Sequence, residues 1–242
     1  METSNSLPLT VVPTYTATQV RDAEKPLLDA GEPLMAIAAG ALGKIAREEL
    51  KNLPPHSPRV LVLTGSGNNG GDALFACAPL ARSGAEVDVL TVSDRWHQEG
   101  MRAALEAGAR RVAPDVAGRI EYDLILDGIL GIGTATDPSL RGVAREAVER
   151  LLPRVTSGKT RVISVDIPSG LHPDTGAADE AVLPATITVT FGAVKQGLTC
   201  ARGPQLAGRI VLVSIGIERV LAAQKSTGEA TVIKYCEQKD LS

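Results

Sequence analysis

The strongest constraint on this chain is an alternation. Short apolar, β-branched runs recur along it, separated by segments whose apolar residues fall at helical spacing. Residues 59–64 (Arg-Val-Leu-Val-Leu-Thr), 86–92, 122–126, 161–165, 185–191 and 209–215 read as strands, with a short one near 110–113. Thr16 and Gln19 have capping-box spacing, which starts a helix near Ala17 that runs to about Ala30 and stops at Gly31. A second helix begins near Leu34, with Leu34, Ile37, Ala38, Ala41, Leu42 and Ile45 on one face and Pro54 and Pro55 closing it. Further helices are expected over 72–82, 96–107 and 139–152, the last with Asp137 as N-cap and Pro138 at its first position. Strands without polar alternation are buried on both faces, so the fold class is α/β, a mostly parallel sheet with helices on each side. The last two strands lack a full helix between them, so one edge is expected to be mixed or antiparallel. Residues 1–14 read as an extended lead-in.

Composition narrows this further. The chain has 242 residues, a size that fits one α/β domain. It carries 24 glycines and 15 prolines but only one Trp, three Tyr and two Phe, so the core must be aliphatic and base stacking on aromatic platforms is disfavoured. A net charge of −3 gives no broad positive field for nucleic acid. Cys77, Cys200 and Cys236 are odd in number and far apart, which suits a reducing compartment, here the cytoplasm, rather than a disulfide framework or zinc site. No apolar run reaches the ~18–20 residues that a membrane-spanning helix needs. The first residues lack the basic and apolar regions of a secretory signal.

In an open sheet of this kind, ligands bind beyond the carboxyl ends of the strands. Four runs end there in unusual residues: 65–72 (Gly-Ser-Gly-Asn-Asn-Gly-Gly-Asp), 127–133 (Asp-Gly-Ile-Leu-Gly-Ile-Gly), 166–170 (Asp-Ile-Pro-Ser-Gly) and 191–197 (Phe-Gly-Ala-Val-Lys-Gln-Gly). Gly65, Gly67 and Gly70 match the dinucleotide pattern G-x-G-x-x-G between a strand and a helix, although a plain tight turn would look the same. Asp72 is expected in the first helical turn, where a carboxylate would repel a bound pyrophosphate. The loop therefore suits a polar ligand or a cation, with Asp72 accepting from ligand hydroxyls and Asn68 and Asn69 offering amide groups. Asn69, Asp127 and Ser169 together are hard oxygen ligands, which fit a monovalent cation better than zinc. Asp137 serves a helix cap as well as a ligand. Lys195, between Gly192 and Gly197, is expected to point into the crevice and to neutralise a phosphate or donate a proton. His56, His97 and His172 show no partner pattern and read as surface residues. There is no Gly-x-Ser-x-Gly elbow and no Walker lysine.

These segments resemble the YjeF N-terminal-domain family. The likeness rests on residues 62–72, 122–133, 165–170, 191–198 and 208–217, with 15–24 fitting the family's first helix, and covers about residues 15–217. The resemblance implies a Rossmann-like three-layer α/β/α sandwich and NAD(P)H-hydrate epimerase activity. The substrate would be NADHX or NADPHX, the cofactor carrying water at C6 of the nicotinamide ring, whose R and S forms are interconverted for a separate dehydratase that acts on the S form. By matching motif, Asn68, Asn69, Gly70, Gly71 and Asp72 would line the substrate, as would Gly131, Ile132, Gly133, Thr134, Ala135, Thr136 and Asp137, with Asp166 beside them. Asn69, Asp127 and Ser169 would hold one potassium ion per subunit, and a homodimer is expected. Two departures stand out: Met35 is followed by Ala36 where the family often has Met-Glu-x-Ala-Gly, and the loop 131–137 lacks the usual basic residue.

The chemistry expected is protonation of the C6 hydroxyl, loss of water assisted by the ring nitrogen, and return of water to the other face. Asp166 and Lys195 are the expected catalytic pair, one for acid–base work and one for charge stabilisation. A non-catalytic relative serving as a binding scaffold and an NAD-dependent dehydrogenase, with Asp94 as its ribose carboxylate, are the competing readings. The domain is expected over 15–217, followed by a polar tail over 218–242 in which only 230–235 offers an element. The chain ends before any fused dehydratase, so it is expected to epimerise without dehydrating.

Overall fold

The computed structural model of the protein describes residues 8–51, 57–133 and 137–235. Strand β1 (Leu9–Tyr15) leads into helices α1 (Ala17–Asp29) and α2 (Leu34–Lys51). The alternation then runs β2 (Arg59–Thr64), α3 (Asn68–Arg82), β3 (Glu86–Thr91), α4 (Gln98–Glu106), β4 (Arg110–Arg111), α5 (Pro114–Ala117), β5 (Leu124–Gly128), α6 (Gly142–Thr156) and β6 (Arg161–Val165). The last third holds β7 (Ile187–Phe191), β8 (Val194–Lys195), α7 (Gly203–Leu206), β9 (Arg209–Val213), α8 (Glu218–Leu221) and β10 (Gly228–Tyr235).

One sheet contains every described strand, in the order β4-β3-β2-β5-β6-β7-β9-β10-β1-β8. Its ladders are parallel except β1 against β10. The expected mixed edge therefore lies elsewhere than the last two apolar strands: β7 and β9 are parallel, and the antiparallel pair involves the N-terminal segment. The strands are apolar on both faces because both are covered. Val60, Val62, Leu124 and Leu126 pack into the core under α1–α4, while Leu61, Leu63 and Ile125 pack under α5 and α6. A third cluster joins Val12, Val194, Leu198, Ala230 and Val232 at the β1–β10 end.

Local signals explain most boundaries. Thr16 Oγ1 accepts from the Gln19 N–H at 3.2 Å and Gln19 Oε1 accepts from the Thr16 N–H at 2.9 Å, so the capping box forms as read. Helix α2 buries Leu34, Ala38, Ala41, Leu42 and Ile45 but leaves Ile37 39% exposed, off the predicted face. Helix α6 starts at Gly142 rather than near Ser139. Leu140 is drawn into the core beside Ile125 and Ile129, and Gly142 has a φ of +52°, so Asp137 closes a turn onto the Ser139 N–H at 3.0 Å instead of capping the helix.

The structure also changes the reading of the ends. The extended lead-in is strand β1 at Leu9–Tyr15, the element at 230–235 is β10, and α8 at Glu218–Leu221 is one that the sequence did not suggest. Strand β10 lies inside the sheet, between β9 and β1. Its Val232 is 1% exposed. Removing a buried aliphatic group costs about 1–5 kcal/mol through lost burial and the cavity left behind. Val232→Ala is therefore expected to lower the urea midpoint of the whole-chain transition, whereas exposed Thr231→Ala leaves it within about 0.5 kcal/mol. Equal silence of both variants would mean that this segment does not belong to the cooperative fold.

Candidate functional site

Strands β2, β5, β6 and β7 are consecutive in the sheet and parallel, so the four unusual turns that follow them emerge side by side. Two close approaches hold the first pair together. A side chain at Gly65 would place its first carbon 2.0 Å from the Ile129 carbonyl oxygen, and one at Gly131 would sit 2.6 Å from the Asn69 amide. At Gly65 the obstacle is backbone and only glycine fits, while at Gly131 a side chain would displace the Asn69 amide. The Gly65 N–H donates to the Gly128 carbonyl at 3.1 Å.

Above these turns lies a cavity of about 540 Å³. Its polar wall includes Arg21, Glu24, Asn68, Asn69, Asp72 and Asp166, and its apolar wall includes Leu28, Leu34, Met35, Ile132, Phe191 and Ile215. Gly131 and Gly133 also line it. Gly70 and Gly71 are buried in the first turn of α3, just behind this wall. Asp137 is not among the cavity residues; it is exposed, and its carboxylate pairs with Arg141. Hydrogen bonding to Ser139 holds its carboxyl below the usual carboxylate range. Thr134, Ala135 and Thr136 fall outside the described residues.

Helix α3 begins at Asn68, four residues earlier than the sequence suggests, with Gly67 as N-cap and no side chain bonded at the cap. The N-terminus of this helix therefore opens onto the cavity, since Ser66, Gly67, Asn68 and Asn69 line it. Asp72 moves into the second turn. The objection that it would repel a phosphate at the helix start is removed by this shift, and the free N–H groups there form an anion-compatible end.

Asp72 itself is 5% exposed, and its Oδ1 has no hydrogen-bond partner among the described residues. Burial pushes its carboxyl well above the usual range, and the carboxylates of Asp166 and Glu24 push it further. Glu24 is also raised, chiefly by burial, with Lys195 and Arg21 opposing the shift. Neither Glu24 nor Arg21 was singled out in the sequence. A signal existed: Ala17, Val20 and Glu24 fall on one helical face, so a carboxylate interrupts an apolar stripe. Arg21 Nη1 donates to the Ile132 carbonyl at 2.6 Å and ties α1 to the glycine loop.

Asp166 sits at the end of β6 with a φ of +68°. A non-glycine residue in this region is strained unless its surroundings fix it. Here they do. The Asp166 N–H donates to the Val189 carbonyl at 2.7 Å. Its Oδ1 accepts from the Thr190 hydroxyl at 3.1 Å, from the Phe191 N–H at 3.3 Å and, closest, from the Lys195 ammonium. Lys195 is 0% exposed. Its other donors go to Thr190 Oγ1 at 3.2 Å and to the Phe191 carbonyl at 2.9 Å. Lys195 therefore does not point into the crevice. It stands behind Asp166 with all three N–H groups used; the Asp166 bonds to Lys195, Thr190 and Phe191 all fall on Oδ1, and Asp166 lines the cavity.

Asn69, Asp127 and Ser169 do converge, below the cavity floor. Asp127 Oδ2 accepts from the Ser169 N–H at 2.9 Å, and Oδ1 from the Ile129 N–H at 3.4 Å. Ser169 Oγ accepts from the Leu130 N–H at 2.9 Å. Asn69 Nδ2 donates to the Val165 and Leu130 carbonyls at 2.5 and 3.2 Å. Two carbonyl oxygens thus converge on the neutral Asn69 amide, next to the buried Asp127 carboxylate, which has no basic partner among the described residues. Burial pushes the Asp127 carboxyl up, against its hydrogen bonds with Ser169. The oxygens of Asp127, Ser169 and the Leu130 and Val165 carbonyls suit a large monovalent cation, toward which the Asn69 amide would turn its Oδ1. Among the described residues no group of three His, Cys, Asp or Glu side chains is placed to hold a metal ion.

The histidines have local duties. His97 caps α4, its Nδ1 accepting from the Gly100 N–H at 3.0 Å, and His172 Nδ1 accepts from the Asp174 N–H at 3.1 Å. His56 lies outside the described residues. Asp94 is exposed and away from the cavity wall. Among the described residues no helix is long and apolar enough to cross a membrane.

Comparison with known proteins gives consistent matches. The sequence profile described as YjeF-related protein N-terminus matches residues 31–197. An NAD(P)H-hydrate epimerase of Microbacterium testaceum is 54% identical over 212 residues, which is 87% of this chain and 81% of that protein. One of Clavibacter michiganensis is 47% identical over 220 residues, 87% of this chain and 94% of that protein. A bifunctional NAD(P)H-hydrate repair enzyme of Mycobacterium tuberculosis is 36% identical over 84% of this chain but only 41% of its own length. The crystal structure of the yeast protein ynu0 superposes with a TM-score of 0.68 at 19% identity, covering 80% of this chain and 86% of that one, and supports the fold.

Proposed function

The chain belongs to the YjeF N-terminal family, and on that premise we propose that it is an NAD(P)H-hydrate epimerase, an isomerase of cofactor repair. The observation that carries the reading to chemistry is Asp166: a carboxylate at positive φ, fixed through Oδ1 by Lys195, Thr190 and Phe191, on the wall of a ligand-sized cavity.

The substrate would lie across the turns of β2 and β5. Its diphosphate fits the open N-terminus of α3 at Asn68 and Asn69, where N–H groups and the helix dipole favour an anion. Gly131, Ile132 and Gly133 supply a wall that backbone can approach closely. Gly70, Gly71 and Asp72 bring the helix up to the same ligand. The hydrated ring then lies toward Asp166. At C6 the hydroxyl-bearing carbon is bonded to the ring nitrogen, whose lone pair stabilises the cation formed when water leaves. Asp166 exchanges a proton with the water that leaves or adds at C6, and Lys195 fixes its carboxylate and compensates its charge. Lys195 is thus a positioning residue, not one that meets the ligand.

Potassium belongs to this reading. Asn69, Asp127 and Ser169 would hold one ion, which would neutralise the buried Asp127 and brace the turns of β5 and β6 against α3. Binding to the folded state alone stabilises it by mass action, about 2.7 kcal/mol when the ion is at a hundred times its dissociation constant. The coupling to a dehydratase acting on the S form, and assembly as a homodimer, complete the proposal.

Two outcomes are expected. In an assay that follows the R and S forms of NADPHX, Asp166→Asn lowers the epimerisation rate by about 10²–10⁴; an unaltered rate would remove Asp166 from the chemistry. Replacing choline chloride with potassium chloride at equal ionic strength raises the Tm of the wild-type chain and not that of Asp127→Asn; equal shifts in both would place no ion at Asp127.

A further inference from the structure

The cavity gathers three carboxylates, Glu24, Asp72 and Asp166, and two cations serve them, Arg21 on the wall and Lys195 behind it. The cations are unevenly shared. Asp166 is bonded to Lys195. Glu24, on α1, feels both Lys195 and Arg21. Asp72, on α3, has neither: the charged groups that act on it are the carboxylates of Asp166 and Glu24. From α4, His97 packs against the neighbouring Gly71, and its Nδ1 is occupied by the Gly100 N–H. Asp72 is nonetheless 5% exposed, lines the cavity, and presents a buried Oδ1 with no partner among the described residues. A buried polar atom without a partner in the protein is one that a ligand can satisfy. Burial and the two neighbouring carboxylates favour the protonated form of Asp72, which has a hydrogen to give.

Epimerisation needs proton transfer on both faces of the ring carbon. Resting on the epimerase reading above, we propose that Asp72 is the second acid–base residue: as a neutral carboxyl it protonates the departing C6 hydroxyl, while Asp166 takes the proton of the water that adds to the opposite face. The C6–O bond breaks with its electron pair going to oxygen, and the Asp72 proton turns that oxygen into water. The ring nitrogen lone pair forms the C=N bond. A water oxygen then bonds to C6 from the other side, the π electrons return to nitrogen, and the surplus proton passes to Asp166. Asp72 ends ionised and Asp166 protonated. The reverse epimerisation runs the same transfers backwards, and proton exchange with solvent resets the pair.

The test uses the full chain with purified NADPHX, wild type beside Asp72→Asn, from mildly acidic to alkaline pH. Asp72→Asn is expected to lower kcat by about 10²–10⁴ with KM unchanged. Wild-type kcat falls on the alkaline side as Asp72 loses its proton, and the residual activity of Asp72→Asn lacks that limb. Stability gives a readout that a structural role would not. The folded carboxyl is raised, so its contribution to stability is complete below the unfolded value and lost as pH rises through the folded one. Asp72→Asn should therefore melt at or above the wild-type temperature at neutral and alkaline pH, with the gap closing toward acid. An active wild type whose Asp72→Asn variant keeps full kcat overturns this proposal and leaves the epimerase reading standing. A variant that melts below wild type overturns it too, since Oδ1 would then hold a partner. An alkaline profile that stays flat in the wild type overturns it without any variant, and a wild type without turnover overturns both readings.

Discussion

The ion pair between Lys195 and Asp166 is the interaction on which the site depends. Both groups are removed from water, and a buried pair repays its desolvation only when the remaining donors and acceptors are satisfied. Here they are. The ammonium has three acceptors, and the bonded carboxylate oxygen has three donors. That network holds Asp166 in left-handed backbone, which a short polar side chain tolerates better than most. It also ties β6 to the turn between β7 and β8. Because Lys195 is paired with Tyr15 in the ladder between β8 and β1, the turn that holds Asp166 is fixed to the N-terminal strand as well.

This explains why the far end of the sheet matters to a site built on its centre. Strand β1 is held by β10 along most of its length, and β10 is in turn held by β9. The pocket is therefore shared among distant parts of the sequence. Helix α1 contributes Arg21 and Glu24, helix α3 contributes Asn68, Asn69 and Asp72, and β6 contributes Asp166. Parallel pairing makes this economical, since each strand delivers its carboxyl end to the same edge.

Much of this was legible in the sequence. Residues 59–64 and 161–165 are continuous apolar runs and form strands with those limits, because burial on both faces leaves no other pattern. The capping box at Thr16 is local chemistry and forms as written. The four turns were legible because glycine beside aspartate at a strand end is costly unless backbone must pass closely or a ligand must be met. Other features depend on contacts that no local pattern carries. Asn68–Gly71 are poor helix formers, yet they begin α3 because the glycine contacts with the β5 turn and the Asn69 amide bonds hold them there. Strand β10 mixes exposed and buried residues within a polar stretch and is recruited by β1 and β9. The direction of Lys195 could not be read from its neighbours. Flanking glycines suggest access to a ligand, but β1 pairing turns the side chain inward. The solitary state of Asp72 is a property of what surrounds it in three dimensions.

If Lys195 acts through Asp166, the two residues are coupled in a double-mutant cycle followed by urea unfolding. Lys195→Met leaves the Asp166 carboxylate buried and unpaired, and should cost about 3–5 kcal/mol. Adding Asp166→Asn, which keeps the side-chain shape and tolerates positive φ, should recover most of that loss, because the charge it strands is gone. Costs that simply add, or a Lys195→Met variant as stable as wild type, would contradict the account.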